Sequence, residues 1–327
     1  MKAAVNRELI NRICVNSAKI SGVRMSEAGM PKAYILHPSL VDYWNFKGKS
    51  NSDKDRNTVK GLLGNILTAY NFGWSLGSGY GLFKENYLTY NKAENVFVTD
   101  DHSAVIMNFV PANTWVLSRY EVNKLNATKV KIAGLTASNQ LAYWYIDANR
   151  RRAFISIPED GEYDLPESIG RSEPGYIGFI VQNTLTKNVT IGQIPEYPGA
   201  IVFDGVDDYL EFDQTGYKIG TIVCRHTPLK VVNWSFVYDI QDERRFIGYE
   251  NTMNRISHNF DRIDKLGDYV IFRNSIPTAA NSFATIGCMN RGPLSNFIGM
   301  ALYDIALYED FLTDTEIEKE ITKMQSL

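Results

Sequence analysis

Glu162, Asp164 and Glu167 stand in an E-x-D-x-x-E spacing, the one grouping of carboxylates here that suits glycosidic hydrolysis with retention. That reaction needs a carboxylate nucleophile and a carboxylic acid about 5–5.5 Å apart, which one bulged strand can supply. Pro166 interrupts the group; it cannot donate to a sheet ladder and is out of place in a central catalytic strand. Asp160-Gly161, just before it, is a turn signal of the hairpin type between the run ending at Ile157 and Tyr163–Leu165. The residues read better as the polar face of a hairpin, and no catalytic residue is assigned.

Asp204, Asp207 and Asp208 form a second acidic group. Loop carboxylates are the ligands that calcium takes, so these three are the candidate calcium ligands and calcium the one candidate cofactor. The same residues are good turn formers through Asx hydrogen bonds. His37, His102, His226 and His258 are isolated, without the spacing of a zinc site. Gly77-Ser78-Gly79-Tyr80-Gly81 is followed by no Gly-Lys-Ser/Thr and opens no helix, so it reads as a loop. Cys14, Cys224 and Cys288 are odd in number and scattered, which reads as free thiols in a reducing compartment. Trp44, Trp74, Trp115, Trp144 and Trp234, with Tyr143 and Tyr145, could stack on sugar rings where exposed. In 141–146, alternation puts Leu141, Tyr143 and Tyr145 on one face and Ala142, Trp144 and Ile146 on the other. One of those faces must be core.

The elements that would carry these residues are mostly strands. Short β-branched and aromatic runs (Val96–Thr99, Val105–Val110, Lys129–Ile132, Leu141–Ile146, Ala153–Ile157, Tyr176–Val181, Val189–Ile194) are broken by Gly, Asn, Asp and Pro, the pattern of a sandwich. Helices are predicted at the two ends. Over 4–20, Val5, Leu9, Ile13 and Ile20 share a face. Over Thr313–Met324, Thr313 and Glu316 make a capping box and Ile317 and Ile321 an apolar pair. The 327 residues suffice for two domains. A net charge of −3 without a long basic run excludes an extended nucleic-acid footprint; Arg150-Arg151-Arg152 reads as a solvated turn between two strands. No stretch has the apolar length to span a membrane, and the interrupted N-terminus lacks the core of a signal peptide.

Two stretches together resemble the laminin-G-like branch of the concanavalin-type jelly rolls. Phe203-Asp204-Gly205-Val206-Asp207-Asp208-Tyr209-Leu210 is similar to that family's F-D-G-x-D-D-Y turn. Phe297–Asp304, then Leu312-Thr313-Asp314-Thr315-Glu316-Ile317, resembles its closing strand and short helix. Asp42-Tyr43-Trp44-Asn45-Phe46, Asp53–Arg56 and Gly64-Asn65 look like its opening strand and loop. The resemblance implies an all-β fold: a jelly roll in two parts (33–109 and 196–327, ending in a short helix), a small β-sandwich inserted at 110–195, and an N-terminal helical arm at 1–32. Jelly rolls of this kind often hold calcium with loop carboxylates, and their glucanase relatives carry an E-x-D-x-x-E strand.

The whole arrangement resembles proteins of gut Bacteroidetes and of their crAss-like phages. That implies a non-enzymatic virion protein (a head or tail fibre, decoration or adhesion protein) made in the host cytoplasm. Its expected partners are a homotrimer or dimer of itself, other virion proteins through the arm, and a host-surface glycan, with neither nucleic acid nor membrane. A bacterial carbohydrate-binding protein or jelly-roll glycoside hydrolase is the alternative, and it would show an exposed groove with stacked aromatics.

Overall fold

The computed structural model describes residues 37–120, 124–170, 175–232, 234–240, 245–253, 255–277, 279 and 282–327. The predicted helix over 4–20, Cys14 and the arm 1–32 lie outside them. The described residues are all-β apart from one α-helix and a short 3₁₀ turn. Leu141–Ile146, Tyr176–Val181 and Val189–Ile194 fall at their predicted bounds, and Arg152–Ile157 within one residue. The run predicted at Val105–Val110 is displaced: the strand is Ser103–Ile106, and Val110 makes an isolated bridge to Leu185.

Two sandwiches make up the unit Val41–Phe311. In the first, one sheet runs Arg262–Leu266, Tyr269–Arg273, Thr221–Lys230, Gly299–Tyr308, Ile201–Asp204, Gly79–Tyr80, with Leu40–Asn45 also paired to Gly299–Tyr308. The other runs Thr58–Lys60, Ile66–Tyr70, Tyr209–Phe212, Ala284–Ile286, Ser235–Ile240, Arg245–Tyr249, Ile256–His258. Strand alternation explains their packing. In Tyr209–Phe212, Leu210 and Phe212 are buried and Tyr209 and Glu211 are not. The inward residues of both sheets, Trp44, Phe203, Phe212 and Phe272 among them, form one core.

The segments around residues 42–45, 203–204 and 299–304 meet on one strand. Phe203 pairs with Met300 and Asp204 with Gly299, while Leu40–Asn45 joins the same Gly299–Tyr308 strand. Gly205, at φ +74, lies so close to Gly299 that a Cβ there would sit 2.7 Å from its nitrogen.

Between Gly79–Tyr80 and Ile201–Asp204 the chain forms the second sandwich. One sheet runs Arg152–Ile157, Leu141–Ile146, Tyr176–Val181, Thr114–Tyr120, Asn91–Lys92; the other runs Gly161–Leu165, Thr128–Ala133, Val189–Ile194, Ser103–Ile106, Val96–Asp100. It has its own core, with Tyr87, Ile106, Leu117, Ile132, Phe179 and Ile191. By strand pairing it begins at Asn91, ahead of the expected boundary at residue 110.

Asp160-Gly161 is not a hairpin turn. Arg152–Ile157 pairs with Leu141–Ile146, and Gly161–Leu165 pairs with Thr128–Ala133 in the opposite sheet. The chain crosses between sheets there, and the Asp160 carboxylate accepts the N–H groups of Gly134 and Leu135 at 2.9 and 2.8 Å. An Asp-Gly pair signals a turn without saying which sheet receives the next strand.

The chain end Leu312–Leu327 belongs to a separate compact unit. Its helix, Asp314–Ser326, starts at the predicted capping box on Thr313 and Glu316 and buries Ile317, Ile321 and Met324. Within that unit, Glu316 Oε1 lies 3.7 Å from His37 Nε2.

Candidate functional site

The second sandwich turns an aromatic surface outward from the sheet that contains Leu141–Ile146. On that strand Leu141 and Tyr143 enter the core, while Trp144 is only half-buried. Antiparallel pairing puts Phe154 directly opposite Trp144, and the rings stack with centroids 4.9 Å apart. On the other side Trp144 is in register with Gly178, which has no side chain to cover it. Trp115 stacks on Tyr176 at 5.3 Å, and Tyr176 touches Tyr120 at 4.6 Å.

Arg152 joins the two groups of rings. Its guanidinium lies 4.3 Å from the Trp144 ring centroid and 5.5 Å from that of Trp115, and Nη2 donates to the Tyr176 carbonyl at 3.4 Å. Phe154 and Tyr120 are each 50% exposed and Tyr176 is 40% exposed. Stacked rings with an arginine between them form a firm platform, because each ring's neighbours restrict its rotamers. Arg150 and Arg151 lie beside it in the expected turn, held by Arg150 N–H and Arg151 N–H donating to the Asp147 carbonyl and carboxylate. Sequence reading named Trp115 and Trp144 but not Arg152, Phe154 or Tyr176 as their neighbours; that grouping depends on strand register, which local spacing does not carry.

The other expected residues have simpler surroundings. Glu162 and Asp164 are exposed on the edge strand Gly161–Leu165, opposite Lys131 and Lys129, and Glu162 makes an ion pair with Lys129 at 3.0 Å. Glu167 lies beyond the strand's end. They form a charged ladder on the second sandwich. Gly73-Trp74-Ser75-Leu76-Gly77 has the G-x-S-x-G spacing of a nucleophile elbow. No helix follows it, and Ser75 Oγ accepts from the Asn86 amide at 3.1 Å.

Asp204, Asp207 and Asp208 do converge, with one oxygen of each within 4.8 Å of the others. Two of them already serve the turn: Asp204 accepts the Val206 N–H at 2.7 Å, and Asp208 accepts the Asp204 N–H at 2.8 Å. Burial, with the nearby Asp204 charge, raises the Asp208 carboxyl well above the carboxylate range. A cation would relieve that cost. The calcium reading predicts that millimolar calcium raises the thermal midpoint and that Asp207→Asn abolishes the rise. A midpoint indifferent to calcium would leave these residues as turn formers alone.

Cys224 is buried, its Sγ 3.6 Å from Nδ1 of His226, whose Nε2 lies 2.9 Å from the Tyr249 hydroxyl. Burial drives the thiol far up and the imidazole down to about 4. Both are therefore neutral near pH 7, the opposite of a thiolate–imidazolium pair. Trp44 is wholly buried, Trp74 packs partly against the first core and Trp234 is 40% exposed.

No helix among the described residues is long and apolar enough to cross a membrane. Comparison of the chain with known protein families, curated proteins and solved structures found no match.

Proposed function

We propose that this protein is a non-enzymatic recognition protein that holds a glycan on the aromatic face of its second sandwich. The observation that carries this reading is the continuous set Tyr120, Tyr176, Trp115, Arg152, Trp144 and Phe154. A sugar ring presents an apolar, electropositive C–H face that suits the electron-rich face of an aromatic ring. Arg152, flanked by Arg150 and Arg151, favours a glycan with carboxylate, sulfate or phosphate groups. Stacked bases are the competing ligand for such rings, but the net charge of −3 and the single short basic cluster do not suit a nucleic-acid backbone.

The setting that agrees with the sequence resemblance is a virion, where a concanavalin-type jelly roll of the laminin-G-like branch would serve adhesion as a fibre or decoration protein. A homotrimer or dimer assembled through the arm 1–32 is part of that reading. Solution masses of the full chain and of a chain starting at Ala33 test it: an oligomer that becomes a monomer on truncation supports assembly through the arm, and two monomers count against it.

Glycan recognition is tested by an array of neutral and acidic glycans, followed by fluorescence titration of the strongest ligand. Trp144→Ala is expected to weaken binding about fivefold or more, since one stacked ring is worth about 1–3 kcal/mol in comparable base-stacking sites. Folding should survive, because the side chain lies outside the core. An array without binding would end the proposal.

A further inference from the structure

A cavity of about 410 Å³ lies elsewhere on the same unit, where the first sandwich leads into the second. Lys49 and Arg56 line one part of its wall; Asp100, the last residue of strand Val96–Asp100, and Asp101 just after it line another. No ion pair engages any of these four among the described residues. Their local bonds are modest: Arg56 donates to the Asn51 carbonyl at 2.8 Å, and Asp100 accepts the His102 N–H at 2.8 Å.

His102, which also lines the cavity, is 5% exposed and stacks on Phe83 at 3.6 Å. Its Nδ1 lies 3.3 Å from the Glu85 carbonyl, so Nδ1 carries the proton and Nε2 is an acceptor. That Nε2 is closed off from solvent and has no hydrogen-bond partner among the described residues, a costly state for a polar atom. Trp74 contributes an aromatic wall, with the Arg56 guanidinium 5.8 Å from its ring centroid.

We propose that this cavity binds a single sugar residue. A hydroxyl donates and accepts at once, so a ring carrying several of them can donate to Asp100 and Asp101 while accepting from Lys49 and Arg56. Trp74 and Phe83 provide apolar surfaces for the C–H face. The volume falls at the small end of ligand cavities, which suits one ring rather than a chain. The site shares no residue with the aromatic face, so it stands or falls separately.

The test is calorimetry on the full chain with glucose, galactose, mannose, fucose, N-acetylglucosamine and glucuronic acid. Glycine, glutamate and lysine serve as zwitterionic competitors for the same opposed charges. At least one sugar is expected to bind, and Lys49→Ala and Asp101→Asn should each weaken it by about tenfold or more, the worth of one charge-assisted hydrogen bond. Trp144→Ala should leave this binding unchanged. Lys49 makes no side-chain hydrogen bond or ion pair among the described residues, so its variant should keep the fold. The proposal is overturned if no sugar binds, if only the amino acids bind, or if sugar binding ignores Lys49 and Asp101.

Discussion

Asp42→Ala is expected to destabilise the first sandwich by about 3–4 kcal/mol, measured as a fall in the urea midpoint. Asp42 is fully buried within the chain's first described strand, Leu40–Asn45. Its Oδ1 accepts the N–H groups of Tyr43 and Leu63 at 2.7 and 2.8 Å, and Oδ2 accepts that of Asn65 at 2.8 Å. Alanine would orphan all three donors and open a void. Burial raises the Asp42 carboxyl despite these bonds, so desolvation offsets part of their worth and the sum of three charged bonds would overstate the loss. Gly61 belongs to the same arrangement: a Cβ there would fall 2.4 Å from the Asp42 carboxylate. Asp42→Asn keeps two acceptor lone pairs but turns an amide N–H₂ toward a backbone donor, so it should cost about half as much. A loss below about 1 kcal/mol for alanine would mean that the 61–65 loop hydrogen-bonds to water as readily as to Asp42.

Such anchors were only partly legible in the sequence. Asp42 and Gly64-Asn65 stood out as pieces of a familiar opening, but spacing could not show that one carboxylate ties the strand to the loop. Strand existence was legible, since alternation over Leu141–Ile146 or Tyr176–Val181 is a local property. Strand partnership was not. Asp160-Gly161 reads as a hairpin in isolation, and only long-range pairing shows a crossing between sheets. The aromatic face was hidden for the same reason: Trp115, Trp144, Phe154 and Tyr176 come from four separate strands. The acidic turn at Asp204–Asp208 was visible because all its carboxylates come from five consecutive residues.

Arg225→Ala should show a pH-dependent loss of stability that exposes the cost of a buried carboxylate. Arg225 and Asp304 are directly opposite on paired strands, and Arg225 Nε and Nη2 donate to Asp304 Oδ2 at 3.0 and 2.7 Å. The Asp304 side chain is 2% exposed and that of Arg225 38%. The guanidinium also lies 4.9 Å from the Tyr303 ring centroid. Burial pushes the Asp304 carboxyl from 3.8 up to about 6, against the pull of Arg225. Between those values the native state holds more proton than the unfolded chain, so stability falls as pH rises from about 4 through about 6. Without Arg225 the carboxyl rises further and its ionised form has no partner. The expected cost is about 2–3 kcal/mol at about pH 8, below that of breaking a fully enclosed pair because the arginine side is open to water, and less at about pH 5. Asp304→Asn should flatten the slope between about pH 4 and 6, and the double variant should recover much of the loss at high pH, since it leaves no buried charge behind. An Arg225→Ala cost independent of pH would mean that packing of the guanidinium over Tyr303, rather than the charge on Asp304, is what the arginine supplies.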